Sequence, residues 1–159
     1  MDLVEGELKA VLEKARLFDA PIDAVQVLDG IMGLTYYRHQ PYQVQLWLVQ
    51  PNKVIPAHTH PDVDTLLVYV SGRVTIQIPE GEFTFNEMTT QHPRLRPGSA
   101  LFVPRGGLHG LRVGELGGAF LSVQKWQGKI QSTDQNWQGD VLGPLHKARL
   151  VPERNQTNA

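Results

Sequence analysis

Between Val25 and Trp126 the chain is a succession of short runs rich in Val, Ile, Leu, Thr and aromatic residues, each cut off by Gly, Pro, Asn or Asp. Runs of this kind are strands. They predict strands at Val25 to Leu28, Leu34 to His39, Val44 to Val49, Leu66 to Val70, Val74 to Ile78, Glu82 to Phe85, Ala100 to Val103, His109 to Val113 and Ala119 to Trp126. Ser71-Gly72 and Glu80-Gly81 have the composition of hairpin turns, so Leu66 to Phe85 reads as a meander. No second long helical pattern separates the strands. That argues against a parallel sheet of βαβ units and for an antiparallel sandwich or barrel.

The flanks differ from this centre. From Glu5 to Phe18, Leu8, Val11, Leu12 and Ala15 recur at helical spacing, with acidic residues early and Lys14 and Arg16 late, which predicts one amphipathic helix ended by Pro21. Asn86 to Pro97 lacks periodicity and holds Pro93 and Pro97, so it reads as a loop that shapes a rim or lid. From Gly128 the chain is polar, although Trp137, Val141, Leu142 and Leu145 suit docking on the barrel or on a second subunit. The expected organisation is a helix and linker at 1–24, a barrel at 25–127 and a C-terminal extension at 128–159.

Composition excludes several functions. With 159 residues the chain fits one domain. It has no cysteine, so disulfides, thiolate metal sites and cysteine nucleophiles are ruled out and any metal must use nitrogen and oxygen ligands. A net charge of -1 gives no general attraction to nucleic acid or anionic lipid. No stretch approaches the length of a membrane span and no apolar leader opens the chain, so a cytoplasmic location is expected by default. Small-molecule ligands or protein partners are expected, not nucleic acid or membrane. Exposed strand edges and the apolar residues of the termini favour a homodimer.

His58-Thr59-His60 carries the chemistry. Strand residues two apart share a face, so the two imidazoles can grip one cation. A third ligand is available downstream, where Gly98 turns the chain, Ala100 to Val103 forms a strand and Pro104 to Gly107 turns it again. His109 then starts the return strand. Such a hairpin carries it back toward the first pair.

With these residues in place the chain resembles the cupin superfamily, which is built on a jelly-roll β-barrel. The family's first motif, G-x5-H-x-H-x(3,4)-E-x6-G, is matched by His58, His60 and Gly72, with Asn52 in the place of the leading Gly. Its second motif, G-x5-P-x-G-x2-H-x3-N, is matched by Gly98, Pro104, Gly106 and His109, with Val113 in the place of the Asn. Asn at the first position is a mild change, because Asn tolerates left-handed backbone. The acid is a larger departure: Thr65 stands where the resemblance implies a glutamate ligand, with Asp64 just before it. Adjacent strand residues face opposite ways, so only one of the two faces the interior, and a break at Pro61-Asp62 that resets the parity leaves the choice open. If Thr65, Leu67 and Tyr69 point inward, the site has three histidines and no carboxylate. If Asp64 points inward, a short acid joins His58, His60 and His109 as a ligand.

Three neutral imidazoles suit Fe(II), Zn, Ni or Cu, and an added carboxylate widens the choice toward Mn. The resemblance implies a divalent metal, Fe foremost, and oxidation of a small organic molecule, as in iron dioxygenases acting on thiols or diketones. A non-catalytic cupin that binds a small molecule or mediates assembly is the competing expectation. Tyr36, Tyr37, Gln45, Trp47, Tyr69, Gln124 and Trp126 alternate on strands and are read first as packing, with some able to line a pocket. Val113 predicts an apolar interior near His109. His39, His92 and His146, together with Arg94, Arg96, Arg105 and Arg112, are read as surface or loop residues.

Overall fold

The structure is a computed structural model and describes residues 3–15, 20–85 and 100–130. Helix α1 (Leu3–Leu12) precedes β1 (Asp23–Leu28), β2 (Ile31–His39), β3 (Tyr42–Val49) and β4 (Val54–His58). β5 (Val63–Ile78), β6 (Gly81–Phe85), β7 (Ala100–Val103) and β8 (His109–Trp126) follow. Every pairing among them is antiparallel. The path runs β1-β2-β3-β8-β5-β6, with β4 attached to β8 and β7 to β5. This is the all-β, jelly-roll architecture expected from the sequence.

β5 and β8 organise the barrel because each pairs with different neighbours along its length. The C-terminal part of β8 lies between β3 and the first part of β5. Its N-terminal part pairs with β4 and the second part of β5. Each had been expected as two strands. The predicted turn at Ser71-Gly72 is instead an irregularity inside one continuous strand, β5. Gly72 has φ +77°, and a Cβ there would strike Gly117 O and Gly118 Cα. Glycine is needed at this place because two backbones approach closely as both strands bend. A bulge and a turn ask for the same residue, so composition cannot separate them. The second predicted turn is present, between Ile78 and Gly81. β4, which the run-based reading left out, carries His58 at its end.

The central strands are buried on both faces. Val44, Leu66, Val68, Leu121 and Val123 form one apolar cluster with Leu8 and Val11 of α1. Trp47, Leu67, Tyr69 and Phe120, one residue out of phase with these on their strands, belong to the interior cluster. Side chains alternate between faces along a strand, so the helix covers the outer face and the barrel interior takes the other. Leu8 is fully buried, which stabilises by roughly 1.5–3 kcal/mol for a side chain of its size. The Glu7 carboxylate accepts hydrogen bonds from Lys125 Nζ at 2.8 Å and Tyr42 Oη at 2.7 Å, tying α1 to β8 and β3. Lys125 first, and Tyr42 second, hold the Glu7 carboxyl below its ordinary pKa.

α1 ends at Leu12, short of the predicted Phe18; residues 16–18 lie outside the described residues. So do the expected loop Asn86 to Pro97, the residues expected to dock, Trp137, Val141, Leu142 and Leu145, and His92, His146, Arg94 and Arg96. Among the described residues no helix is long and apolar enough to cross a membrane.

Candidate metal centre

The barrel brings the three predicted histidines together. His58 ends β4 and His109 begins β8, and the register makes them direct cross-strand partners. His60 follows just past the end of β4. Ring centroids are 4.4 Å apart for His58 and His109, 4.8 Å for His58 and His60, and 5.3 Å for His60 and His109. One nitrogen from each ring lies within 4.8 Å of the other two. Small ring rotations can draw such a set onto one ion with metal–nitrogen bonds of about 2.0–2.1 Å.

Local sequence explains how each is held. Asn52 takes φ 60° in the turn before β4, the left-handed conformation its motif position implies. In the turn before β8, Gly107 N donates to Pro104 O at 2.9 Å and Gly106 N donates to His60 O at 3.0 Å, so one turn supports two of the histidines. His58 Nδ1 donates to Pro56 O at 2.7 Å and His109 Nδ1 to Gly107 O at 2.9 Å. A carbonyl only accepts, so Nδ1 carries the proton and the neutral ring has its lone pair on Nε2, which makes Nε2 the atom able to coordinate a metal. Burial lowers the His109 pKa, and the bond to Gly107 O opposes this only in part. A neutral imidazole is the form that coordinates.

Thr65, not Asp64, shares the interior with the histidines. Thr65 lines the cavity beside them, in phase with Leu67. Asp64 lies outside the group, which corrects its expected role as a ligand. Its Oδ1 accepts from Arg105 N at 3.0 Å, and Arg105 Nε lies 3.6 Å from its Oδ2. The register is regular from Val63 to Tyr69, so Asp64 and Thr65 keep opposite faces and Pro61-Asp62 does not turn the acid inward. The carboxylate instead fastens the turn that leads into His109.

The adjoining cavity has a volume of about 60 Å³, room for a few waters or a small organic fragment. Leu67, Leu111, Phe120 and Trp47 supply an apolar side. Val113 packs in the interior cluster and does not line the cavity. Gln45, Trp47, Gln124 and Trp126, read first as packing, do line it, together with Gln43 and Ser122, which the sequence reading missed. Their signal was present in the alternation of Gln43, Gln45 and Trp47 along β3 and of Ser122, Gln124 and Trp126 along β8. Tyr69 lies in the interior cluster and donates its hydroxyl to Gly72 O at 2.6 Å. Tyr36 and Tyr37 do not line the cavity, and His39 is exposed on β2. Arg112 meets Glu82 at 2.9 and 3.0 Å, away from the cavity, and pulls the exposed Glu82 carboxyl down to about 2.

No family model matches the chain, and no curated protein matches it in sequence. Solved structures do. An RmlC-like cupin from Shewanella frigidimarina NCIMB 400 is similar at a TM-score of 0.55 and 12% identity, over 74% of this chain and 88% of that one. The cupin domain of Schizosaccharomyces pombe Cnp3 is similar at 0.53 and 8%, over 69% and 86% respectively. KdgF from Halomonas sp. is similar at 0.57 and 16%, over 70% and 96%. At these identities the likeness is one of fold.

Proposed function

We propose that this protein, whose fold is that of the cupin superfamily, holds one divalent metal ion through His58, His60 and His109 and acts on a small organic molecule in the adjoining cavity. The observation that carries the reading is the convergence of three imidazole nitrogens within 4.8 Å. An all-nitrogen set suits Fe(II), Zn or Ni, and without a carboxylate ligand Mn is disfavoured. For the oxidation of the dioxygenase kind proposed here, Fe(II) is the fitting metal. When bound, it supplies Lewis acidity and electrons for dioxygen chemistry.

The chain's own residues do the rest. His58 and His109, pinned through Nδ1, hold their rings in orientation. Trp47, Phe120 and Leu67 keep water from the apolar side of the cavity. Metal analysis of the purified protein tests the proposal, followed by oxygen uptake with Fe(II) restored on a panel of thiols, diketones and phenols. About one metal per chain with oxygen consumed on at least one substrate is expected. Substoichiometric metal together with unchanged stability after His58→Ala and His109→Ala sinks the metal claim.

One observation favours a second reading, a binding module without turnover. Apart from the three histidines, no acid or base lines the cavity among the described residues, so once these imidazoles ligate a metal no lining side chain remains for acid–base catalysis. Thermal stabilisation by an organic ligand that persists in strong chelator, without turnover, would select this reading.

A further inference from the structure

The cavity wall beside the histidines is arranged to donate hydrogen bonds. β3, β8 and β5 lie side by side, and their register sets Gln43, Gln124 and Thr65 in one row and Gln45, Ser122 and Leu67 in the next. Two groups that can only donate fix the amides of these rows. Arg38 Nε donates to Gln43 Oε1 at 2.7 Å, and Trp126 Nε1 donates to Gln124 Oε1 at 2.9 Å. Each turns an amide oxygen toward itself and so sends the NH₂ group the other way. Gln43 Nε2 then donates to Gln124 Oε1 at 3.0 Å. Gln124 Nε2 donates to Gln45 Oε1 and to Ser122 Oγ, both at 2.9 Å, and Gln45 Nε2 donates to Thr35 Oγ1 at 3.1 Å.

Gln124 has thereby used both N–H groups and both oxygen lone pairs, and has nothing left for a ligand. What remains on the wall is one N–H on Gln43, one on Gln45, and the Ser122 hydroxyl proton. Thr65 adds a second hydroxyl. It is only 5% exposed, lines the cavity, and among the described residues its Oγ1 has no hydrogen-bond partner. A buried hydroxyl left this way is costly unless something outside the protein completes it.

Charge points to the same kind of ligand. No Asp, Glu, Lys or Arg lines the cavity among the described residues. Three neutral imidazoles, two of them buried, would leave both charges of a divalent ion uncompensated by any protein anion. Surplus donors and a surplus cation both select an oxygen anion.

We propose that Thr65, Ser122, Gln45 and Gln43 form a binding site for the oxygens of a small organic anion. It would be a carboxylate with a neighbouring carbonyl or hydroxyl oxygen, whose apolar remainder packs against Leu67, Phe120 and Trp47. The inference rests on the three-histidine metal reading, because the anion also neutralises the ion.

The test is calorimetric titration of the full chain loaded with Zn(II), using 3-methyl-2-oxobutanoate and its uncharged amide, with metal content measured in every sample. Wild type is expected to bind the acid at least about tenfold more tightly than the amide, since a hydrogen bond to a charged group outweighs one to a neutral group. Thr65→Val and Ser122→Ala should each weaken acid binding by about tenfold with metal still near one per chain. Among the described residues Thr65→Val breaks no hydrogen bond, so its thermal midpoint should not fall; if it fails to fold, Ser122→Ala carries the comparison. Absence of acid binding, equal binding of acid and amide, or variants that bind the acid like wild type overturn the anion site while leaving the metal reading intact. Failure of wild type to load metal overturns the metal reading on which the site rests.

Discussion

His58 and His109 are direct partners across the β4–β8 pair, with ring centroids 4.4 Å apart and ring planes inclined by 56°. They come from the two motifs of the chain, so antiparallel register rather than local sequence assembles the candidate centre. Both Nδ1 atoms donate to a carbonyl two residues earlier, Pro56 O and Gly107 O respectively. The two rings are held alike.

Removing either ring should abolish tight metal binding. His58→Ala and His109→Ala are expected to fall well below one metal per chain by elemental analysis. In wild type, metal at about a hundredfold above its Kd should stabilise by about 2.7 kcal/mol, a rise of about 5–10 °C in Tm for a chain of this size. That rise should vanish in both variants. A retained rise would mean that the metal binds elsewhere.

Asp64→Asn should leave metal content unchanged, because the carboxylate faces Arg105 and not the histidines. The Asn oxygen can still accept from Arg105 N, so the expected stability loss is only about 0.5–1 kcal/mol, the lost charge pair being partly exposed. Elemental analysis beside a urea melt checks both parts. A collapse of metal binding would restore Asp64 as a ligand.

Acid should weaken the metal-free protein through His109. Burial lowers its folded pKa below the unfolded value of about 6.5. The unfolded chain therefore binds more protons between the two values, and stability rises with pH across that window. This contribution is fully present above about pH 6.5 and shrinks as pH falls toward the lower, folded value. Urea midpoints of wild type and His109→Gln at about pH 8, 6.5 and 5 should show a steeper acid loss in wild type. Parallel profiles would contradict the assignment.

Gly72→Ala should destabilise by about 2 kcal/mol or more, since φ +77° disfavours a side chain and the new Cβ meets the β8 backbone. The urea midpoint is expected to drop by about 1 M with little change in slope. A neutral result would show that the bend can relax.

Much of the fold was legible because short apolar runs and turn residues report local preferences directly. β7 was predicted at Ala100 to Val103 and is found there. β5 and β8 were cut in two because glycine at a bend looks like glycine at a turn, and only the neighbouring backbone distinguishes them. β4 escaped because Val54–His58 is short and contains Pro56. The glutamine network was missed for a related reason. Gln43, Gln45 and Gln124 are ordinary polar letters until register stacks them on one interior face.

By itself the sequence determined the all-β class and the residues of the histidine group, because strand propensity and motif spacing are local properties. Tertiary structure alone decided between Asp64 and Thr65. A strand with one wet face announces its inward residues by alternation, but β5 is covered by α1 on one side and filled by the barrel core on the other. Its letters are apolar on both phases, Leu66 and Val68 outward, Leu67 and Tyr69 inward. With both faces dry, hydrophobic patterning carries no information on parity. The choice between an acid and a hydroxyl beside the histidines was made by packing.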